Sequence, residues 1–223
     1  VMKLEHFKKL IDDSYKYLFS ITLWNYGEPF INKDAFDMIK YATDHQVKVI
    51  TSTNGYVFYD KENIPKIVDS GLDILIVSLD GTDHETLNKY RVNAKFDKLV
   101  EGIKALSDLK KERGFSKPHI EAQFIVMKHN EHQVEDIKKL AKEIGADQLI
   151  LKTVNVFMSY GHSPKDAAKK FLPINKEYRR YDGSEDVLRS KFEIPNRCDG
   201  VWFSCNVNYD GTVIPCCFDP YET

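Results

Sequence analysis

Short apolar, β-rich runs alternate with amphipathic stretches along the first two thirds of the chain. Apolar residues recur at the spacing of a helix face over residues 33–45, 96–113 and 131–144, which predicts three helices. The runs between them predict strands over residues 20–24, 48–52, 74–79, 119–127 and 148–152. Strands that alternate with helices are typical of an α/β fold built on a parallel sheet.

The connections between these elements are short. Right-handed crossovers of this length would curl the sheet into a full or partial (β/α) barrel. An open, doubly wound sheet is the alternative.

The alternation ends after Lys152. Residues 153–195 hold Gly161, Pro164, Pro173 and the charged run YRRYDGSED, and are predicted to be a linker that includes one helix. Near the C-terminus, VWFSCNVNYDGTVIPCC predicts a hairpin that turns at Tyr209-Asp210-Gly211. We therefore expect a first unit over residues 1–153, a linker over 154–194 and a small cysteine-rich unit over 195–223.

Composition and charge limit the classes of function. With 223 residues, 42% hydrophobic and 30% charged, the chain can bury a sizeable core. Its 32 basic and 34 acidic residues give a net charge of -2, which excludes a global field for nucleic acid or an anionic membrane. No apolar run approaches the roughly 20 residues that span a bilayer, and the N-terminal residues lack the apolar core of a signal peptide. We expect a cytoplasmic protein with a small or local partner.

Polar turn motifs follow four of the predicted strands. They are Asn25-Tyr26-Gly27-Glu28-Pro29, Thr53-Asn54-Gly55, Ser78-Leu79-Asp80-Gly81 and Lys128-His129-Asn130-Glu131. In parallel α/β folds the carboxyl ends of the strands carry the functional groups, so these motifs are expected to share one rim. Singly, each pair of this kind is also a common turn. Four in series favour a rim that binds a ligand.

The sequence around Glu28 allows two interpretations. Gly27 and Pro29 could hold the Glu28 carboxylate rigidly toward a cationic group such as an ammonium. Alternatively, they form a simple turn, and Glu28 is solvated or caps the helix that begins near Lys33. A metal-free enzyme that uses Glu28 and Asp80 as acid and base is a further hypothesis.

All four cysteines lie in the last 26 residues, at Cys198, Cys205, Cys216 and Cys217. Four thiols in one short cytosolic segment favour metal or cluster ligation over disulfides. The CxxC pair of a zinc ribbon is missing, and adjacent cysteines serve one tetrahedral zinc poorly, so an iron-sulfur cluster is favoured. Buried structural cysteines are the alternative.

The seven histidines show no metal-binding spacing, and no P-loop, GxGxxG or GxSxG is present.

In order along the chain, LWNYGEPF, TSTNG, VSLDG, FIVMKHNE and CDGVWFS…VNYDGTVIPCCFD resemble the radical S-adenosylmethionine (SAM) enzymes. The resemblance is to the branch with a C-terminal SPASM-type auxiliary-cluster domain. It implies a partial (β/α)6 barrel followed by the start of a small SPASM or twitch-type domain. It further implies an iron-sulfur cluster that cleaves SAM to a 5′-deoxyadenosyl radical, which abstracts a hydrogen from a substrate. The resemblance also implies a peptide or protein substrate and an electron donor such as flavodoxin or ferredoxin.

The resemblance implies roles for individual residues. Gly27 and Glu28 match the segment that contacts the methionyl ammonium, and Ser78 matches a position near the ribose or carboxylate of SAM. The remaining rim candidates are Asn54 and Asp80, with Arg91 for a carboxylate contact and Asn130 on the adenosine side. The implied auxiliary-cluster ligands are Cys198, Cys205 and Cys216, with Cys217 an alternate or a ligand of a second cluster.

One family motif is absent. The CxxxCxxC that binds the catalytic cluster is missing, and no cysteine precedes Cys198. Residues 4–17 resemble the helix that follows the cluster loop in the family. We expect an internal piece of a longer enzyme, inactive by itself in SAM cleavage. The alternative is a lineage without the cluster, a non-catalytic barrel scaffold with a zinc or iron-sulfur module.

Overall fold

A computed structural model describes residues 1–156, 163–184, 187–191 and 198–216. Its main body is a five-stranded sheet with helices between successive strands. The strands of this sheet are β1 (Ser20–Thr22), β2 (Lys48–Thr53), β3 (Ile74–Ser78), β4 (His119–Val126) and β5 (Gln148–Thr153). The helices around it are α1 (Leu4–Ser14), α2 (Ala35–Asp44), α3 (Asn63–Asp69), α4 (His84–Asn88), α5 (Phe96–Glu112) and α6 (Val134–Glu143). All five predicted strands are confirmed, with ends displaced by at most two residues.

The order of the strands distinguishes the two predicted architectures. Each strand is parallel to the next, in the order β1-β2-β3-β4-β5. A doubly wound sheet reverses its strand order at a switch point, and this sheet does not. The sequential order is that of a barrel wall, so the α/β prediction of a partial barrel is confirmed.

The two faces of the sheet differ in burial. In the three central strands, β2 to β4, one face is buried under the helices, with Val49, Leu75 and Phe124 each 0% exposed. The opposite face, which is the inner one in a barrel, is partly exposed and carries Glu121 and Gln123. In β4 this produces a strict alternation of half-buried and buried residues, so β4 serves the core and the inner face at once.

Two aspartates tie neighbouring strands together at the amino edge of the sheet. Asp73 precedes β3, and its carboxylate accepts the N–H of Val49 in β2 at 2.9 Å. Asp147 precedes β5 and accepts the N–H of Ile120 in β4 at 2.7 Å. The buried amine of Lys110 donates to Asp147 at 2.6 Å. Both aspartates end a Gly-x-Asp sequence, Gly71-Leu72-Asp73 and Gly145-Ala146-Asp147, so the same pattern performs the same structural task twice.

The segment after β5 packs on the body of the protein. Helix α7 (Pro164–Phe171) is the one helix that the sequence predicts here. A second apolar cluster joins this segment to the end of β4, through Met127, Val154, Val156, Ala167, Ala168, Leu172 and Tyr181. The hairpin of β6 (Tyr181–Ser184) and β7 (Val187–Ser190) was not predicted, because its first strand contains an Asp-Gly pair that is typical of turns.

The C-terminal residues form small elements. Helix α8 (Gly200–Phe203) precedes β8 (Asn206–Val207), which pairs antiparallel with β9 (Val213–Ile214). The predicted hairpin with its turn at Tyr209-Asp210-Gly211 is confirmed, and the division into three units stays a prediction. Among the described residues, no helix has the length and apolar character needed to cross a membrane.

Candidate functional site

The Glu28 carboxylate joins the segment after β1 to the end of β2. One oxygen accepts the N–H of Asn54 at 2.6 Å, and the other accepts the hydroxyl of Thr53 at 3.0 Å. The N–H of Phe30 donates to the same carboxylate at 3.3 Å. Burial raises the pKa of Glu28, although these hydrogen bonds and the charge of Arg91 act in the opposite direction. A half-buried carboxylate therefore lies at the carboxyl edge, fixed by backbone donors.

The backbone beside Glu28 is unusual. Gly27 has a φ of +89°, a left-handed conformation that favours glycine, and a Cβ built there would meet no atom within 4 Å. Pro29 begins a short turn of helix, Pro29–Ile31, and Glu28 caps it through the Phe30 N–H. Glu28 thus is a cap, as one interpretation of the sequence had it, but of this turn and not of α2. The open space beside Gly27 leaves room for a ligand.

Asp80 lies at the centre of a second group on the same edge. Its side chain is 0% exposed, and its two oxygens accept the N–H of Ile125 at 2.7 Å and the Arg91 guanidinium at 2.6 Å. The Asn130 amide donates to the backbone oxygens of Asp80 at 3.0 Å and Ile125 at 2.9 Å. Its own oxygen accepts the N–H of Met127 at 2.7 Å. Asp80 and Asn130 hold the ends of β3 and β4 together, and Arg91 is the member of the group with solvent exposure.

The two groups belong to one rim. Arg91 is near enough to Glu28 to act on its pKa, so it links the Glu28 group to the Asp80 group. Ser78 ends β3, pairs in register with Gln123, and is 8% exposed. Gly27, Glu28, Asn54, Ser78, Asp80, Arg91 and Asn130 all lie at the carboxyl ends of the strands or in the segments that follow them. Their individual ligand roles stay predictions.

Three of the four cysteines lie within the described residues. Cys198 and Cys205 are exposed, Cys216 is half-buried, and Cys217 lies outside the described residues. Within the described ranges, no group of three or more histidine, cysteine or acidic side chains could hold a metal ion. Ligation by Cys198, Cys205, Cys216 and Cys217 stays a prediction.

Sequence reasoning missed three polar side chains near the rim, and it gave His129 no ligand role. Ser52, Glu121 and Gln123 lie on the partly exposed inner face that also carries Ser78. The alternation in HIEAQFIV carried this signal, since its polar residues share one face of β4. His129 follows β4, and its Nε2 is buried without a hydrogen-bond partner in the described structure. No pattern in the sequence around His129 indicates that this nitrogen is buried.

A comparison with protein families resolves the identity of this fold. Residues 1–141, well over half of the chain, match the radical SAM superfamily. The chain belongs to this superfamily. The radical SAM superfamily consists of enzymes, and its cofactors are SAM and a [4Fe–4S] cluster, as the resemblance had implied.

Several curated proteins are similar to this radical SAM chain. An AdoMet-dependent heme synthase of Methanosarcina barkeri is 30% identical over 178 residues, 79% of this chain and 47% of the relative. The mycofactocin maturase MftC of Mycolicibacterium smegmatis is 32% identical over 120 residues, 54% of this chain and 29% of the relative. A probable GTP 3′,8-cyclase of Methanocaldococcus jannaschii is 27% identical, covering 85% of this chain and 66% of the relative. This chain therefore spans about half the length of such relatives.

Solved structures share the fold. Streptococcus suis SuiB bound to its precursor peptide SuiA has a TM-score of 0.65 with 98% of this chain and 54% of SuiB covered, at 13% identity. SuiB bound to S-adenosylmethionine has a TM-score of 0.63 at 12% identity. At this identity the likeness concerns the fold.

The donor atoms of residues 1–197 fit SAM but not a catalytic iron-sulfur cluster. The half-buried Glu28 carboxylate and the open space beside Gly27 suit the cationic amine of SAM. A [4Fe–4S] cluster requires thiolates, and residues 1–197 contain no cysteine. No reaction step through a catalytic cluster is therefore assigned to these residues.

Proposed function

We propose that this chain is the SAM-binding wall of a radical SAM maturase that acts on a peptide or protein. The observation that carries the proposal is the rim of polar side chains at the carboxyl edge, centred on Glu28. Membership of the superfamily supports SAM as the ligand of this rim. In the enzyme, bound SAM would supply the chemistry of hydrogen abstraction, and flavodoxin or ferredoxin is the proposed electron donor.

Each rim residue has a proposed role that its geometry supports. The Glu28 carboxylate receives the methionyl ammonium of SAM, while the Asn54 N–H fixes the position of that carboxylate. Arg91 pairs with the SAM carboxylate, and its position is set by the buried Asp80. The Ser78 hydroxyl, which makes no hydrogen bond within the described ranges, receives the ribose.

Asn130 acts indirectly in this proposal. Its side chain is fully buried and its amide is saturated by backbone groups, so it positions the adenosine side of the site through the end of β4. Asp80 has the same character. Neither is proposed to transfer a proton.

A peptide substrate is supported by relatives and by the inner face. SuiB is described as bound to a precursor peptide, and MftC as a maturase. Glu121 and Gln123 make no side-chain hydrogen bond within the described residues, so they are available to the amide groups of a substrate inside the barrel.

The cysteine-rich end is proposed to bind an auxiliary iron-sulfur cluster in a SPASM-type unit. The ligands would be Cys198, Cys205 and Cys216, with Cys217 an alternate. After anaerobic reconstitution, Cys198→Ala is expected to lower the iron content of the protein, whereas Ser204→Ala leaves it unchanged. Equal iron in both variants contradicts the proposed ligand.

Calorimetric titration of the chain with SAM tests the role of the rim. Glu28→Gln keeps the shape of the side chain and removes its charge, so the Kd for SAM is expected to rise about tenfold or more, as for the loss of a charge-assisted hydrogen bond. Glu101→Gln on the exposed face of α5 is the matched control, with an unchanged Kd. Equal affinity of Glu28→Gln and the unaltered chain removes Glu28 from the SAM site.

A further inference from the structure

Three elements meet beside the rim and form what we term the α4–α7 surface. It consists of Lys89 and Tyr90 after α4, Lys128 and His129 after β4, and Lys169, Lys170 and Phe171 at the end of α7. The N–H of Lys128 donates to the Phe171 oxygen at 2.9 Å, and its amine to the Lys169 oxygen at 3.4 Å. The rings of Tyr90 and Phe171 meet edge to face, with centroids 5.7 Å apart. The surface is therefore tied together by contacts and is not a chance grouping of side chains.

The positive charge of this surface is largely uncompensated. Lys128, Lys169 and Lys170 are exposed, and in the described part of the chain none has a carboxylate within ion-pair distance. Lys89 pairs with Glu85 at 3.1 Å, but Glu85 is 84% exposed and easily released.

The neighbouring acidic groups are engaged elsewhere. Glu131 accepts the N–H groups of Ile174 and Asn175 at 3.0 and 2.9 Å. The Asp166 carboxylate accepts the hydroxyl of Ser163, the N-cap of α7, and Asp80 is buried against Arg91. An excess of cations therefore faces solvent next to the predicted SAM rim.

His129 lies among these cations. Burial lowers the pKa of His129 most, and the positive charge of Lys89 lowers it further. The negative charge of Asp80 raises it in part, while His132 and Lys170 make small contributions that lower it. The imidazole is therefore neutral near pH 7, and its buried Nε2 has no partner in the described structure. A buried polar atom without a partner indicates a group that a ligand or an ordered water satisfies.

We propose that the α4–α7 surface binds an acidic segment of the peptide or protein substrate. The inference rests on the peptide substrate proposed above and adds the charge of the segment that docks. The lysines come from three separate elements, so their ammonium groups are spread over the surface. In an extended peptide, carboxylates at every second residue are about 7 Å apart, which suits such a spread of charges. The exposed ring of Tyr90 offers an apolar contact between them.

A single phosphate fits this surface less well than a peptide. Phosphate sites usually converge several backbone N–H groups on one point, as at a helix N-terminus or a nest. The elements here present the C-terminal ends of α4 and α7, whose partial charge is negative. The side-chain ammonium groups are therefore the source of the attraction.

Fluorescence anisotropy with short labelled peptides tests the proposal. The probe is a fluorescein-labelled peptide of alternating glutamate and alanine, compared with its glutamine counterpart and with a labelled oligothymidylate. The Lys128→Glu/Lys170→Glu variant is expected to bind the glutamate peptide about tenfold more weakly, because two attractive charge interactions become repulsive. The matched control is Lys104→Glu/Lys142→Glu, which changes net charge equally at exposed lysines of α5 and α6.

The outcomes separate this inference from the proposed function. Tight, salt-sensitive binding of the glutamate peptide that is lost in the first variant and kept in the control supports the inference. Equal loss in both variants, equal binding of the glutamine peptide, or preference for the oligonucleotide overturns it. SAM titration of the same samples is independent of peptide binding, so a failure there concerns the proposed function alone.

Discussion

Replacing Asp80 by asparagine tests the idea that the rim depends on a buried ion pair. Asp80→Asn keeps the size of the side chain and removes its charge. Its oxygen can still accept the N–H of Ile125, but Arg91 loses its carboxylate partner. We expect the ends of β3 and β4 to hold together less firmly and the variant to be less stable.

The magnitude follows from the contacts. A hydrogen bond to a charged group contributes about 1.5–3 kcal/mol, and a neutral one about 1 kcal/mol. The variant loses the pair with Arg91, and its bond to Ile125 becomes a neutral one. Because the Arg91 side chain is 22% exposed, water partly replaces its lost partner. The free energy of unfolding is therefore expected to fall by about 2.5 kcal/mol, below the roughly 3–5 kcal/mol for a fully buried pair.

Equilibrium unfolding in urea, followed by circular dichroism, measures this change. With an m-value of about 2–3 kcal/mol/M, the midpoint should fall by about 1 M. Asp69→Asn is the matched control, because Asp69 pairs with Arg113 at the same 2.6 Å but is 61% exposed. Its loss should be below about 1 kcal/mol.

A double-mutant cycle with Arg91→Gln isolates the pair. The coupling energy between Asp80 and Arg91 is expected to be about 1.5–2 kcal/mol. A loss below about 0.5 kcal/mol in Asp80→Asn, or simple additivity in the double variant, refutes the reasoning.

Three further predictions concern charge and backbone. Burial raises the pKa of Glu28 above 4.5. The stability of the unaltered chain relative to Glu28→Gln should therefore be greatest below pH 4.5 and decrease as the pH rises through the folded pKa. A pH-independent difference between the two proteins in urea titrations contradicts this. Burial acts to raise the pKa of Asp147, but the hydrogen bonds from Lys110 and Ile120 outweigh it and lower the pKa below 3.8. Asp147→Asn should therefore lower the free energy of unfolding by about 1 kcal/mol near pH 7. This destabilisation should disappear as the pH falls through the lowered pKa of Asp147. Destabilisation that remains at such low pH argues against the ion pair. Gly81→Ala would place a Cβ 2.6 Å from the Leu87 backbone nitrogen, so the free energy of unfolding should fall by about 3 kcal/mol or more through overpacking. The added methyl group in Gly27→Ala meets open space, so the only cost is that of placing alanine in a left-handed conformation, roughly 1–2 kcal/mol of the free energy of unfolding. Equal thermal shifts in Gly81→Ala and Gly27→Ala would refute this packing argument.

The strands could be predicted because burial and period agree in them. In β4, polar and apolar residues alternate along the whole strand, and the structure has the same alternation in burial. Helices α3 and α4 were not predicted, since seven and five residues are too few to establish a helical period.

The rim could be predicted in position but not in detail. The carboxyl ends of parallel strands meet at one edge, which placed Glu28, Asn54 and Asp80 together. What the Asp80 oxygens contact depends on Ile125, 45 residues away, and on the Arg91 side chain. Such long-range hydrogen bonds leave no local pattern. The same limit applies to the cysteines, whose mutual arrangement depends on tertiary packing.

Formation of 5′-deoxyadenosine is the measurement that tests the central claim most directly. The protein is expressed from its complete gene, reconstituted anaerobically with iron and sulfide, and incubated with SAM and dithionite. The account predicts 5′-deoxyadenosine and methionine in equal amounts, with much less of both in Glu28→Gln. A protein that carries its cluster and binds SAM but forms no 5′-deoxyadenosine contradicts the account and favours the non-catalytic scaffold.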